Sequence, residues 1–162
     1  MRVAARHPTE LRELEMTVIV RPLEPGDRTE WDRLWTAYLS FYETQRPKEV
    51  FDTYFERLMS DDPRDFSGLI AEREGRAIGL THFLFHRHGW RIGDVCYLQD
   101  LYADPEVRGQ GVGRALIEAV YGEADKHGAE SVYWMTQEFN SNARLLYDRI
   151  GKQTPFIMYA RS

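Results

Sequence analysis

Three glycines alternate in RGQGVG, residues 108–113, with Arg108 opening the run, Arg114 just behind it and a patterned apolar stretch following at once. Bare backbone at the entrance to a helix lets several N–H groups point one way, and missing β-carbons let the oxygens of an anion reach them. Phosphate suits such a loop, with Gly109, Gln110, Gly111, Val112 and Gly113 offering main-chain donors and Arg108 and Arg114 adding charge-assisted hydrogen bonds. The Walker pattern is not met, because no lysine with a serine or threonine follows Gly113. The dinucleotide pattern fails too: counted from Gly109 it needs glycine where Arg114 stands, and counted from Gly111 it needs one where Leu116 stands. Glu130 lies at a suitable distance downstream, but at the start of the next strand rather than its end.

Other reactive side chains are few. His86 and His88 fall on one face of a strand without further ligands at a usable spacing, so exposed hairpin histidines are the expectation and no metal site is. Cys96 is the sole cysteine, which excludes an internal disulfide and cysteine-pair metal clusters. It has no histidine signature beside it, and a covalent route through its thiolate is poorly supported. Late in the chain Ala143, Leu146, Tyr147 and Ile150 share one helical face, the pattern that core packing produces.

A chain of 162 residues, 43% hydrophobic and 13% aromatic, is one domain with a real core. Residues 1–15 alternate charges without an apolar period and read as a flexible arm; residues 16–162 read as the domain. The formal net charge of −5 argues against broad attraction to nucleic acid or an anionic membrane. No apolar run reaches the roughly 18–20 residues of a membrane span, and the first residues lack the apolar stretch of a secretory signal, so a cytoplasmic location is expected.

The elements that position the glycines follow in order. TVIVRPL reads as a strand, then a helix with capping-box spacing at Asp27 and Glu30 and a stripe at Trp31, Leu34, Trp35, Tyr38, Leu39 and Tyr42. A second helix opens near Pro47. Two antiparallel strands, SGLIAERE and GRAIGLTHFLFHRH, join at Glu74 and Gly75, and VCYLQDLYAD is the strand that leads into the glycines. The next helix closes at Gly128 in a left-handed conformation; ESVYWMT is a strand, NSNARLLYDRIG a short helix and PFIMYAR a final strand. This is an α/β layout with a mixed sheet.

The glycine run, the preceding DLYADPEV and the later NSNARLLY together resemble the GCN5-related N-acetyltransferases (GNAT family) over about residues 17–160, and within them the diamine and polyamine acetyltransferases. The resemblance implies a GNAT-type α/β fold, a mixed, mostly antiparallel sheet flanked by helices in a single domain. It further implies acetyl-CoA as co-substrate without a metal, a primary amine of a small molecule as acceptor, direct attack in a ternary complex, and a homodimer. Two departures stand out: Gln99 precedes Asp100 where relatives often carry Glu, and Lys152 follows Gly151 where Phe is common.

Carried onto this chain, the glycine loop would hold the pyrophosphate. The edges of Leu101, Tyr102 and Ala103 would meet the pantetheine arm, and a main-chain N–H near Leu101 would serve the oxyanion. Tyr147 would return a proton to the departing thiolate, against the core reading that its periodicity supports. Asp100 is the candidate base, or equally a structural acceptor, with Glu138 as a weaker alternative. Asn140 and Asn142 would cap their helix, bind the pantetheine arm or divide those tasks. The aromatic stripe of the first helix is either core or substrate entrance. A non-catalytic acyl-CoA-binding module, to which Gln99 points, and an enzyme acting on protein termini or lysines are the rival readings.

Overall fold

The apolar runs in residues 67–73 and 76–86 leave too few polar positions for a surface strand, and in the computed structural model, which describes residues 17–161, they lie inside a sheet covered on both faces. The sheet has five strands in chain order: β1 (Ile19–Pro22), β2 (Ser67–Arg73), β3 (Arg76–His86), β4 (Val95–Ala103) and β5 (Val132–Tyr133). The first four are antiparallel neighbours, and β5 runs parallel to β4. Helices α1 (Arg28–Phe41) and α2 (Lys48–Leu58) come between β1 and β2. Helix α3 (Val112–His127) makes the crossover from β4 to β5, and α4 (Ser141–Ile150) follows. The expected α/β architecture with a mixed, mostly antiparallel sheet is the one observed.

Each face has its own core. Trp31 and Leu34 of α1 and Phe55 and Leu58 of α2 pack on Ile70, Leu80 and Tyr102. Val112, Leu116, Ile117 and Val120 of α3 pack on Leu69, Ile78, Phe83 and Leu98 of the other face. At the hairpin between β2 and β3, Glu74 and Gly75 take φ of 52° and 73°, the left-handed pair that matches the twist of two paired strands.

Three expectations change. Asp27 does not cap α1: a 3-10 turn at Pro25–Asp27 precedes the helix, and the carboxylate turns back to accept the Glu24 N–H at 2.8 Å and two Arg21 N–H groups at 2.8 Å each. The strand expected over 130–136 shrinks to two residues. Glu130 is held aside by the Gly93 N–H and Arg91, while Trp134 leaves the sheet to pack on Tyr147 and against Gly151 of the last helix. The final strand expected at 155–161 does not form; among the described residues nothing pairs with its backbone. The arm expected over 1–15 lies outside the described residues.

Leu116 is fully buried where α3 meets the sheet. Leu116→Ala should therefore cost about 2–5 kcal/mol of unfolding free energy, read as a lower urea midpoint at an unchanged denaturant slope.

Candidate active site

The register of β3 and β4 runs from Gly79↔Ala103 to His82↔Asp100 and then slips, so that Phe83 faces Leu98 and Gln99 is the extra residue of a bulge. On its other edge β4 meets β5 only at Cys96↔Val132 and Tyr97↔Tyr133, and from there the two strands part. The Asp104 N–H donates to the Ile78 carbonyl at 2.9 Å. Strand alternation then turns the main-chain groups of Asp100 and Tyr102 toward β3 and those of Leu101 and Ala103 toward the side that β5 has left. This is a short row of main-chain donors and acceptors beside an opening.

The row runs straight into the glycines. Gly109 and Gly111 take φ of 77° and 83°, and nothing stands within 4 Å of the place a β-carbon would occupy on either. Gly111 is the N-cap of α3 without a side-chain cap, and the first bond of the helix runs from the Ala115 N–H to the Gly111 carbonyl at 2.9 Å. The N–H groups of Val112, Gly113 and Arg114 thus lie ahead of the helical ladder and point out of its positive end. The side chains brace rather than reach. Gln110 accepts from Arg73 at 2.6 Å and donates to the Glu106 carbonyl, and Arg114 pairs with Glu118 at 2.7 Å. Arg108 donates to the Ala103 carbonyl at 3.2 Å and lies over the Phe41 and Tyr102 rings. In this structure the two arginines expected to contact an anion are engaged within the protein, while the main chain stays open.

On the α1 and α2 face of the bulge sits Asp100, 4% exposed. Its Oδ2 is 2.9 Å from His82 Nδ1 and accepts the Tyr54 hydroxyl at 2.6 Å; the Tyr38 hydroxyl bonds to the same carboxylate. His82 is fully buried, and its Nε2 lies 2.8 Å from the Trp31 indole nitrogen. An indole nitrogen only donates, so Nε2 must accept, and the imidazole proton sits on Nδ1, where it is donated to Asp100. The tautomer is set by these two neighbours, and His82 stays neutral because a second ring proton would face the indole N–H. Burial, and then the Asp100 charge, push the Tyr38 and Tyr54 phenols up, so both remain donors.

Asp100 and Gln99 close one end of a cavity of about 450 Å³ walled by Trp35, Val50, Tyr54 and Phe66, with Glu49, Thr53 and Arg57 of α2 completing its lining. The buried indole N–H of Trp35 has no hydrogen-bond partner among the described residues. Sequence reasoning missed this wall: Glu49 and Arg57 read as a solvated helix face, and Trp35 and Tyr54 as core.

Tyr147 lies half-buried on α4 against Trp134, and its hydroxyl makes no hydrogen bond among the described residues. Asn140 is the N-cap residue of α4, yet its side chain caps nothing and lies 3.4 Å from the Thr136 hydroxyl; Asn142 is exposed in the first turn. The capping expected of the two asparagines is not made. Glu138 is exposed in the preceding turn, away from the lining of the Asp100 cavity. His86 and His88 have separate partners, Tyr133 and the Trp90 N–H, and share none.

The profile of the Acetyltransferase (GNAT) family matches residues 31–151, which take in the bulge, the glycines and α4. The chain belongs to that family. It is an acyltransferase. D-amino-acid N-acetyltransferase HPA3 of Saccharomyces cerevisiae is 38% identical over 146 residues, 90% of this chain and 91% of its own. Thialysine N-epsilon-acetyltransferase of Bos taurus is 33% identical over 76 residues, 47% of this chain and 44% of its own. Among solved structures, AAC(6')-Iy with a CoA-containing bisubstrate analogue superposes with a TM-score of 0.77 at 19% identity, covering 90% of this chain and 98% of that one, and shows the same fold.

In this GNAT chain burial, with Tyr42 adding a smaller push, raises the Tyr147 phenol from 10.0 to about 12. Above pH 10 the unfolded phenol ionises while the folded one does not, so stability present below that pH is lost as the pH climbs toward 12. A gap of two units corresponds to about 3 kcal/mol. Tyr147→Phe should lose stability less steeply than the native chain between pH 10 and 12, by up to about that amount, in denaturant titrations.

Proposed function

We propose that the chain transfers an acetyl group from acetyl-CoA to a primary amine of a small, amino-acid-like molecule in the cytoplasm, as a pair of identical chains. The observation that carries this reading is the meeting, at one bulge, of an open main-chain row on β4 with a buried carboxylate at the end of a small-molecule-sized cavity.

The residues present suit the donor. The uncapped start of α3 and the clear space over Gly109 and Gly111 fit a diphosphate, and Leu101, Tyr102 and Ala103 offer an extended strand to a chain of amides. Bound there, acetyl-CoA supplies an activated thioester. The N–H near Leu101 is the donor for charge that develops on the acyl oxygen.

At the other end the acceptor must lose a proton. An amine with a lysine-like pKa is neutral in only about one molecule in a few thousand at pH 7. Asp100 carries the charge that draws the ammonium in and takes its proton directly or through water, and the donors on Oδ2 keep it ionised and aimed. Tyr147 serves the sulfur. A phenol near 12 gives up its proton to a thiolate of about 8.5 only at a cost of roughly 5 kcal/mol, so its part is to hold the thiolate by hydrogen-bond donation.

An amino-acid-like acceptor is favoured over a polyamine by two groups in the same wall. The unpartnered Trp35 N–H and Arg57 both want an anion or a carbonyl, and a carboxylate beside the amine supplies one. The similarity to a D-amino-acid N-acetyltransferase points the same way.

Thiol release from acetyl-CoA should be seen with amino acids of one or both hands, ahead of diamines, polyamines and peptides. Asp100→Asn should lower kcat about 10²–10⁴-fold with calorimetric acetyl-CoA affinity intact. Turnover confined to peptides would replace the small-molecule acceptor by a protein one. In the same assay Arg57→Ala should raise KM for amino acids at least about tenfold, the loss of one charge-assisted bond, and leave KM for a diamine in place; equal effects on both would remove Arg57 from acceptor recognition.

A further inference from the structure

The last ten described residues end the chain in a way a free monomer does not explain. Phe156, Ile157, Met158 and Tyr159 are consecutive and 70–88% exposed. Among the described residues, no backbone group from 152 to 161 takes part in a main-chain hydrogen bond. If the segment is extended, Phe156 and Met158 fall on one face and Ile157 and Tyr159 on the other, which is the pattern of a strand buried on both sides. A strand at the rim of its own sheet would need only one apolar face.

A receiving edge is present in the same molecule. β5 pairs with β4 on one side alone, its second edge carries no strand among the described residues, and Tyr133 and Met135 at that place are exposed. The β3–β4 turn, tied to the start of β5 by Arg91 and Gly93 on Glu130, adds Trp90 at 85% exposure. Four large side chains at roughly 150–250 Å² each, three-quarters in water, put on the order of 600 Å² of apolar surface on the segment. That alone fills the range of the largest patch on a typical monomer.

We propose that residues 155–161 of one chain add as a strand to the free β5 edge of a second copy, and that the second copy returns the same segment across a two-fold axis. An isologous exchange satisfies both unpaired elements at once and closes, whereas one-way addition would leave an open edge and a filament. Two segments and two receiving surfaces of about 600 Å² bury on the order of 2,400 Å², beyond the roughly 1,600 Å² of a standard stable interface. The proposal is independent of the acetyl-transfer reading: assembly is read without substrate, and the failure of either leaves the other standing.

The full chain is examined by sedimentation velocity and by amide hydrogen exchange over a dilution series. A particle of twice the 19.0 kDa chain mass is expected, with amides 156–160 and 132–135 protected together and losing protection together on dilution. Ile157→Asp should move the particle to single mass at the same loading, with an unchanged far-ultraviolet spectrum. Should that variant misfold, cysteines placed singly at Met135 and Tyr159 give a second route. On mixing and oxidising the two proteins, a covalent heterodimer forms only if the segment crosses between chains. Cys96 does not compete, being buried with its thiol pushed up to about 12. A native chain of single mass at its highest soluble concentration overturns the proposal. Protected amides 156–160 would then place the segment on its own chain, and freely exchanging ones would leave it without a homotypic partner.

Discussion

The parting of β4 from β5 after Tyr97 is the constraint on which the other features depend. A parallel pair that stayed together would satisfy every main-chain group of β4 internally and leave nothing for a ligand to join. By ending the pairing at Tyr97↔Tyr133, the fold leaves Leu101 and Ala103 facing an opening, just before the chain turns through Gly109 and Gly111 into α3. Unpaired main-chain groups in a partly buried place are unfavourable unless something completes them. The stretch is retained, in the functional reading, because an extended amide-bearing ligand completes it. The Gln99 bulge then turns Asp100 to the opposite face, so that the donor opening and the acceptor cavity meet across one strand.

Asp100 shows what that arrangement costs. A carboxylate in a nearly water-free setting is strongly unfavourable unless several donors meet it. Here Tyr38, Tyr54 and His82 do so, and Trp31 holds His82 from behind. The same Trp31 is a central side chain of the core on that face, stacked with Trp35 and tilted on Phe55. Packing and electrostatics are therefore not separable here. The residue that anchors α1 to the sheet also fixes which imidazole nitrogen is protonated. A network with every member satisfied rigidifies its surroundings, which suits a group that must meet a substrate amine in one orientation.

Much of this was legible in residue types. The glycines announced a main-chain anion site because no other side chain tolerates φ near +80° at alternate positions, and both flanking elements followed from apolar periods. The side chains around the loop were misjudged: Arg114 and Arg108 looked free in one dimension, but Glu118 stands one turn on and the Ala103 carbonyl is brought close only by the fold. His82 was hidden in an apolar run from 77 to 85. Its signal was that a polar ring in a fully buried strand must have partners, and those partners, Trp31 and Asp100, are 51 and 18 residues away. The bulge at Gln99 could not be read at all, since a register slip belongs to a pair of strands and not to either one. Tyr147 sits on the core-like face its spacing foretold, with a hydroxyl that its neighbours leave unbonded, so the two readings of that residue are compatible.

The two ends of the sheet story are connected. A sheet that parts in order to admit a ligand shortens its last strand, and a β5 of two residues offers little edge and little cover to anything that follows. Trp134 takes the room where the strand would have continued and seats itself against Gly151, where a β-carbon would approach its ring to 2.8 Å. That contact fixes α4, and with it Tyr147, beside the opening. It also launches the chain away from its own sheet, so the apolar run Phe156–Tyr159, patterned for burial on both faces, emerges where its own molecule has no second layer to give it. A strand-forming sequence left outside its sheet by the geometry of the active site is a reason, internal to the fold, for the site and the assembly to be built together.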